Sequence, residues 1–276
     1  MTIRKAGIWC NRNKAQAIEA AQRLVQALLR HGIGVGLDEE LYYRLGDVRA
    51  CIGLGDCDLV ITLGGDGTLL YGLEEAMNLD APMLGVNLGH VGFLTEIEPE
   101  QIEEAAWCLA RGEYRVEERM LLKAEGFDLY GLNDAVVSRA PTSARILTMT
   151  VYVNGRLMQR FAGDGLIIST PTGSTGYSMS AGGPLVAPGV EMILLTPVCA
   201  HTPHAKPTVV PADAQIEVEL QEECAGVLAM DGRYLCGMEA GGRVKIVRAD
   251  RSARFIRLGE EDFFARLKSK LLDWGK

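Results

Sequence analysis

The chain has 276 residues, 48% apolar and 23% charged, with a formal net charge of −8. These proportions are ordinary for a globular protein and exclude a disordered, collagen-like or repeat-built chain, and the length exceeds what one hydrophobic core usually fills, so two domains are expected. The acidic balance argues against a general nucleic-acid or anionic-membrane surface, which rewards clustered Lys and Arg; an anionic ligand would need backbone N–H groups, a few local basic side chains or a divalent cation.

Met1-Thr2-Ile3-Arg4-Lys5 leads into an apolar stretch of only five residues. That is too short for a signal sequence, and no later run approaches membrane-spanning length, so a cytoplasmic protein is expected. Residues 6–10 read as a strand, and 15–30 as a helix whose Ile18, Ala21, Val25, Leu28 and Leu29 recur at helical spacing before Gly32 ends it. A strand at 58–63, a helix near 69–77, a strand at 83–88 and a helix at 100–110 follow. Strands alternating with helices imply a parallel, doubly wound sheet.

From about residue 116 the texture changes. Leu147, Met149, Val151 and Val153 alternate with polar or hydroxyl-bearing residues, and Asn154-Gly155 supplies the favoured two-residue hairpin turn. Segments 166–169, 192–195, 216–220, 227–230 and 244–247 read as further strands, and 260–274 as a closing helix. The expected fold is therefore a doubly wound α/β domain over 1–115, a β-rich, β-sandwich-like domain over 116–258, and a C-terminal helix over 259–276 packed back on the body of the protein. The seven cysteines (10, 51, 57, 108, 199, 224, 236) lack the paired spacings of a zinc site and read as reduced, mostly buried thiols.

Gly64-Gly65-Asp66-Gly67-Thr68 follows an apolar strand and opens a helix, which puts it at the carboxyl edge of a parallel sheet, where ligands bind. Glycines let the backbone approach a phosphate, and a helix N-terminus offers free N–H groups. An acid there repels phosphate, which makes sense if Asp66 is a base or a metal partner; a tight turn with an N-cap Asp explains each residue singly but not three glycines around one acid. No Lys follows the glycines, so this is not a Walker loop. Gly85-Val86-Asn87-Leu88-Gly89-His90-Val91-Gly92-Phe93 is a second glycine-rich strand-to-loop passage, readable as a surface loop or as a second wall of the same cleft; His90 receives no role. Asn133-Asp134 stands at a strand start. Gly163-Asp164-Gly165 precedes another strand, after which residues 171–183 carry four glycines, five hydroxyl side chains and Tyr177, suited to ribose and phosphate oxygens and to stacking on a flat base. His201 and His204 have no acidic companion nearby, and no metal site is expected there.

In this order the segments resemble the NAD kinase family, over about residues 58–258. The strongest parts are 64–68, 85–94, 132–139, 163–180 and 196–211. The first is shared with diacylglycerol and sphingosine kinases and, remotely, with phosphofructokinases; the combination is far more specific. The resemblance implies an α/β domain and a β-rich NAD-binding domain with the nucleotide site between them. It further implies ATP as phosphoryl donor, Mg²⁺ or another divalent cation, and a homodimer or homotetramer whose site a neighbouring subunit completes. By the match Asp66 is the general base that takes the proton from the adenosine ribose 2′-hydroxyl of NAD, with Gly67 beside it at the nucleotide. Asn133 and Asp134 hold the adenosine or its ribose, Asp164 reaches the nicotinamide side across the subunit contact, and Thr175, Gly176, Tyr177 and Ser180 contact NAD. Arg145 falls where the family often places a basic or polar contact. Three positions depart from the pattern: Tyr71 and Ala162 stand where others carry basic residues, and Gly176 replaces a commoner Ala. The competing readings are a lipid kinase sharing the glycine segment, which would leave 132–139 and 163–180 unexplained, and a non-catalytic NAD-binding regulator.

Overall fold

The structure is a computed structural model, describing residues 2–11, 15–46, 48–89, 92–140, 145–259 and 263–272. The chain divides into two compact units, Met1–Glu118 with Ala253–Lys276, and Arg119–Ser252.

In the first unit, strands β1 (Lys5–Cys10), β2 (Gly34–Leu37), β3 (Cys51–Ile52), β4 (Leu59–Leu63) and β5 (Met83–Val86) form a parallel sheet ordered β5-β4-β1-β2-β3. Every residue of β4 and β5 is buried, as in a sheet covered on both faces. Helix α1 (Ala15–Arg30) buries Ala17, Ala20, Ala21, Leu24, Val25, Ala27 and Leu28, a single stripe at helical spacing. Helix α2 (Glu39–Leu45) is capped by Asp38, whose side chain accepts from the Leu41 amide at 3.0 Å. Helix α3 spans Asp66–Asn78, and α4 (Ile102–Arg111) follows a 3₁₀ turn at Pro99–Gln101. Helix α3 thus begins three residues before the expected 69, because the turn through Gly64 and Gly65 is tight enough for Asp66 to be its first residue.

The second unit is β-rich. The chain enters it within β6 (Arg115–Ala124), which pairs with β7 (Tyr130–Gly131), and leaves it within β17 (Arg243–Arg257). One antiparallel layer runs β10 (Arg156–Gly163), β9 (Leu147–Val153), β14 (Ile216–Leu220), β17. The other runs β13 (Thr208–Pro211), β12 (Met192–Val198), β11 (Gly165–Ser169), β8 (Asp134–Arg139), β15 (Gly226–Met230), β16 (Arg233–Met238). Alternate residues of β9 and β14, such as Met149, Val151, Ile216 and Val218, share one core cluster with Leu166, Ile168, Ile193 and Leu195 of the other layer. That is the inner-face packing of a β-sandwich. Asn154 (φ 51°) and Gly155 (φ 73°) make the β9–β10 turn with both central residues left-handed, as a type I′ turn requires. A 3₁₀ turn at Thr172–Thr175 and the short helix α5 (Tyr177–Ser180) lie in the long connection after β11.

The closing helix α6 is Phe263–Leu272, counted with the first unit; the expected ends at 260–262 and 273–274, like His90, fall outside the described residues. The cysteines depart from the expectation of mostly buried thiols. All seven are free; Cys10 and Cys57 are buried, Cys51 and Cys199 are exposed, and the other three lie between. Burial pushes the Cys57 thiol up to about 11, so it packs as a small hydrophobe. Among the described residues no helix is long and apolar enough to cross a membrane.

Candidate active site

In the first unit the loops after β4 and β5 close on each other. The Gly64 amide donates to the Val86 carbonyl at 3.0 Å, and the Leu88 amide returns to the Gly64 carbonyl at 3.3 Å. Buried Asn87 stiffens the second loop, its side-chain NH₂ donating to Glu98 at 2.9 Å and to the Gly89 carbonyl at 3.2 Å. The loop then folds over the start of α3, where both Asp66 carboxylate oxygens are taken by backbone: the Phe93 amide donates to Oδ2 at 2.8 Å and the Leu94 amide to Oδ1 at 3.0 Å. Asp66 is half-buried and Gly67 beside it is exposed. A Cβ at Gly92 would overlap the Asp66 carboxylate and the Thr95 hydroxyl, so only glycine leaves that carboxylate its place. The second glycine segment is thus a wall around Asp66.

The two polar segments of the second unit are likewise knitted together. The Thr170 amide donates to the Asn133 carbonyl at 2.9 Å, the Thr170 hydroxyl to the Leu132 carbonyl at 2.6 Å, and the Gly173 amide to the Thr170 hydroxyl at 3.1 Å. Gly173 packs so closely on the Asn133 backbone that a Cβ would overlap its carbonyl. Three consecutive amides, of Leu132, Asn133 and Asp134, donate to the Asp231 carboxylate at 2.7, 2.8 and 2.9 Å. Asp231 sits in the β15–β16 turn with φ 47°, a left-handed position that Asp tolerates better than most residues. Nothing in composition marked Asp231 beyond the Asp-Gly turn pattern, and Phe93 and Leu94 act through backbone N–H groups that residue type does not reveal.

Of the other expected contacts, Thr175 and Gly176 end the 3₁₀ turn, Tyr177 is 48% exposed, and Ser180 is exposed at the end of α5. The Gly176 amide donates to the Gly173 carbonyl at 2.9 Å. Ser178, between them, is buried and exchanges a 2.8 Å hydrogen bond with Thr196. Asp164, between β10 and β11, pairs with Arg139 at 3.2 Å. Ala162 lies on β10 opposite Thr148, its carbonyl accepting from the His201 amide at 2.8 Å, and Arg145 is exposed ahead of β9. Tyr71 is 60% exposed on α3.

Asp134 is 6% exposed, and its carboxyl makes no hydrogen bond among the described residues. Burial, reinforced by the nearby Asp231 carboxylate, pushes it up to about 7; burial raises Asp231 as well, against the pull of its three amides. A carboxyl raised in this way holds a proton in the folded state that the unfolded chain has released, so its contribution to stability falls as pH rises from about 4 through about 7. Asp134→Asn removes that slope. Thermal melts should show the variant gaining on the parent between about pH 5 and about pH 8; a difference in melting temperature that does not change with pH would contradict the assignment.

Residues 6–114 match the family model for the ATP-NAD kinase N-terminal domain and residues 132–258 that for the ATP-NAD kinase C-terminal domain. A NAD kinase of Lachnoclostridium phytofermentans is 36% identical over 98% of this chain and 100% of its own. The chain belongs to the NAD kinase family. This makes it a phosphotransferase by membership. Another NAD kinase, from Methanothermobacter thermautotrophicus, is 37% identical over 98% of this chain and 97% of its own. Among solved structures, an Archaeoglobus fulgidus NAD kinase in complex with ATP superposes with a TM-score of 0.76 at 27% identity, covering 96% of this chain and 98% of that one. Yeast NADH kinase complexed with NADH shares the fold, with a TM-score of 0.88 at 22% identity over 100% of this chain and 89% of that one.

Proposed function

We propose that this chain transfers the γ-phosphoryl group of ATP to the adenosine ribose 2′-hydroxyl of NAD, giving NADP and ADP, in the cytoplasm and as a homodimer or homotetramer. Asp66 is the general base. The observation that carries this is the Asp66 carboxylate, fixed by two backbone amides at the mouth of a glycine turn. A general base must accept a proton, and a carboxylate in its ionised form is an acceptor-only group. As the ribose oxygen attacks the γ-phosphorus and the bond to ADP breaks, the hydroxyl proton passes to Asp66.

Asn133, Asp134, Thr175, Gly176, Tyr177 and Ser180 hold NAD, with Arg145, Ala162 and Asp164 at its flanks. Gly67 lies at the nucleotide. Mg²⁺ brought with ATP would neutralise the charge of the donor phosphates during transfer, a role that would need few ligands from the chain. Among the described residues no three His, Cys, Asp or Glu gather into a group that could hold an ion.

Incubation with γ-labelled ATP and Mg²⁺, offering NAD in one arm and diacylglycerol in another, tests the assignment. Label is expected in NADP alone. Label in the lipid, or tight NAD binding without any transfer, would overturn it. The full-length relatedness to NAD kinases disfavours the lipid reading.

A further inference from the structure

The peptide units that hold Asp66 are themselves held from behind by the last segment of the chain. Arg266, on α6, donates through Nη1 to the Thr95 carbonyl at 2.7 Å and to the Phe93 carbonyl at 3.3 Å, while its Nη2 meets Glu96 Oε2 at 3.1 Å. Arg257, at the end of β17, donates to the Leu94 carbonyl at 3.3 Å and to the same Glu96 oxygen at 2.9 Å, and its Nε reaches Glu117 at 2.7 Å. Glu96 Oε1 accepts the Leu258 amide at 2.9 Å, which ties β17's exit to the frame. The frame is shielded from solvent: the side chain of Arg257 is 1% exposed, Glu96 7%, and Arg266 21%.

One peptide links the two ends. The Phe93 carbonyl that Arg266 engages and the Leu94 N–H that donates to Asp66 belong to the same amide group. A cation on the oxygen of an amide polarises its N–H toward the acceptor on the other side, and three guanidinium contacts on consecutive carbonyls fix where that N–H points.

We propose that Arg266 is a positioning residue for Asp66, holding the 93–95 backbone so that the carboxylate keeps its place and direction, with Arg257 and Glu96 as the rigid base of the frame. The proposal rests on Asp66 acting as the base. Arg257 is a poor probe, because removing one partner from a buried ion network leaves an uncompensated charge and threatens folding; Arg266 is the more accessible partner.

The test uses the full chain with Arg266→Ala, Arg266→Lys, Asp66→Asn and the two position-66/266 double variants. Arg266→Ala is expected to lower kcat about tenfold with KM for NAD and ATP within about twofold. Arg266→Lys keeps a cation but not the fork that spans Thr95 and Glu96, so it should fall in between and serves if the alanine variant folds poorly. In the Asp66→Asn background neither change should lower turnover further, since groups acting as a unit are not additive. Hydrogen exchange of the 92–96 amides should rise in both Arg266 variants. Unchanged kcat and exchange beside a slow Asp66→Asn enzyme would overturn this inference alone, and so would an undiminished loss in the Asp66→Asn background. Near-normal turnover of Asp66→Asn would remove the base, and with it this role of Arg266, while the exchange data would still report whether Arg266 holds the segment.

Discussion

Replacing Asp66 with Asn is expected to lower turnover of NAD by about 10²–10⁴-fold, the usual contribution of a general base. The geometry adds a second effect. Asp66 presents two acceptor oxygens to two amide donors, Phe93 at 2.8 Å and Leu94 at 3.0 Å. An Asn side chain has one acceptor and one NH₂, so one backbone N–H would face a donor instead of an acceptor. Leaving such a group unsatisfied costs about 1–3 kcal/mol where it is buried, so the variant should also melt lower than the parent. Steady-state kinetics and a thermal melt on the same preparation separate the effects: a lower melting temperature with near-normal kcat would make Asp66 a structural clamp, whereas a general base requires kcat to collapse in protein that is still folded at the assay temperature.

Gly92→Ala carries the next largest effect. The added methyl would occupy the space of the Asp66 carboxylate, forcing either the first residue of α3 or the 92–94 backbone to move. Displacing a reacting group by about 1 Å can cost on the order of 10²-fold in rate, and that is the loss expected in kcat, with NAD and ATP affinity little changed. Gly55→Ala is the matched control, since a Cβ at Gly55 meets no atom within 4 Å. Equal activities in the two variants would show that the Asp66 carboxylate tolerates displacement, against its assignment as the base.

Elements with strong periodicity are legible in the sequence. The apolar stripe of α1 set its span at 15–30, and Asn154-Gly155 marked the β9–β10 turn because those two residues adopt left-handed backbone at low cost. Short elements escaped. Strand β2 has four residues and α2 has seven, too few for a period to declare itself, and β13 and β16 alternate only weakly between buried and exposed positions. The long strand β17 was visible only as its first few residues, because Arg248, Asp250, Arg251 and Arg254 interrupt the apolar pattern along its middle.

The site divides in the same way. Gly64–Thr68 and the second glycine segment stood out as composition, and so did Asn133-Asp134 and the hydroxyl-rich 171–183 stretch. Their joining did not, because backbone groups do it: the amides of Phe93 and Leu94 on Asp66, and the carbonyls of Leu132 and Asn133 under Thr170. Asp231 and Arg266 lie 97 and 200 positions along the chain from Asp134 and Asp66, and no local pattern ties residues so far apart.

The identity of the product that the unmodified chain forms from NAD, ATP and Mg²⁺, read by ³¹P NMR, decides whether the chain phosphorylates NAD at the 2′-position. A new phosphomonoester signal that matches authentic NADP is expected, with the phosphate on the adenosine ribose 2′-oxygen and ADP released in equal amount. No new ester, or one on another hydroxyl, would contradict it.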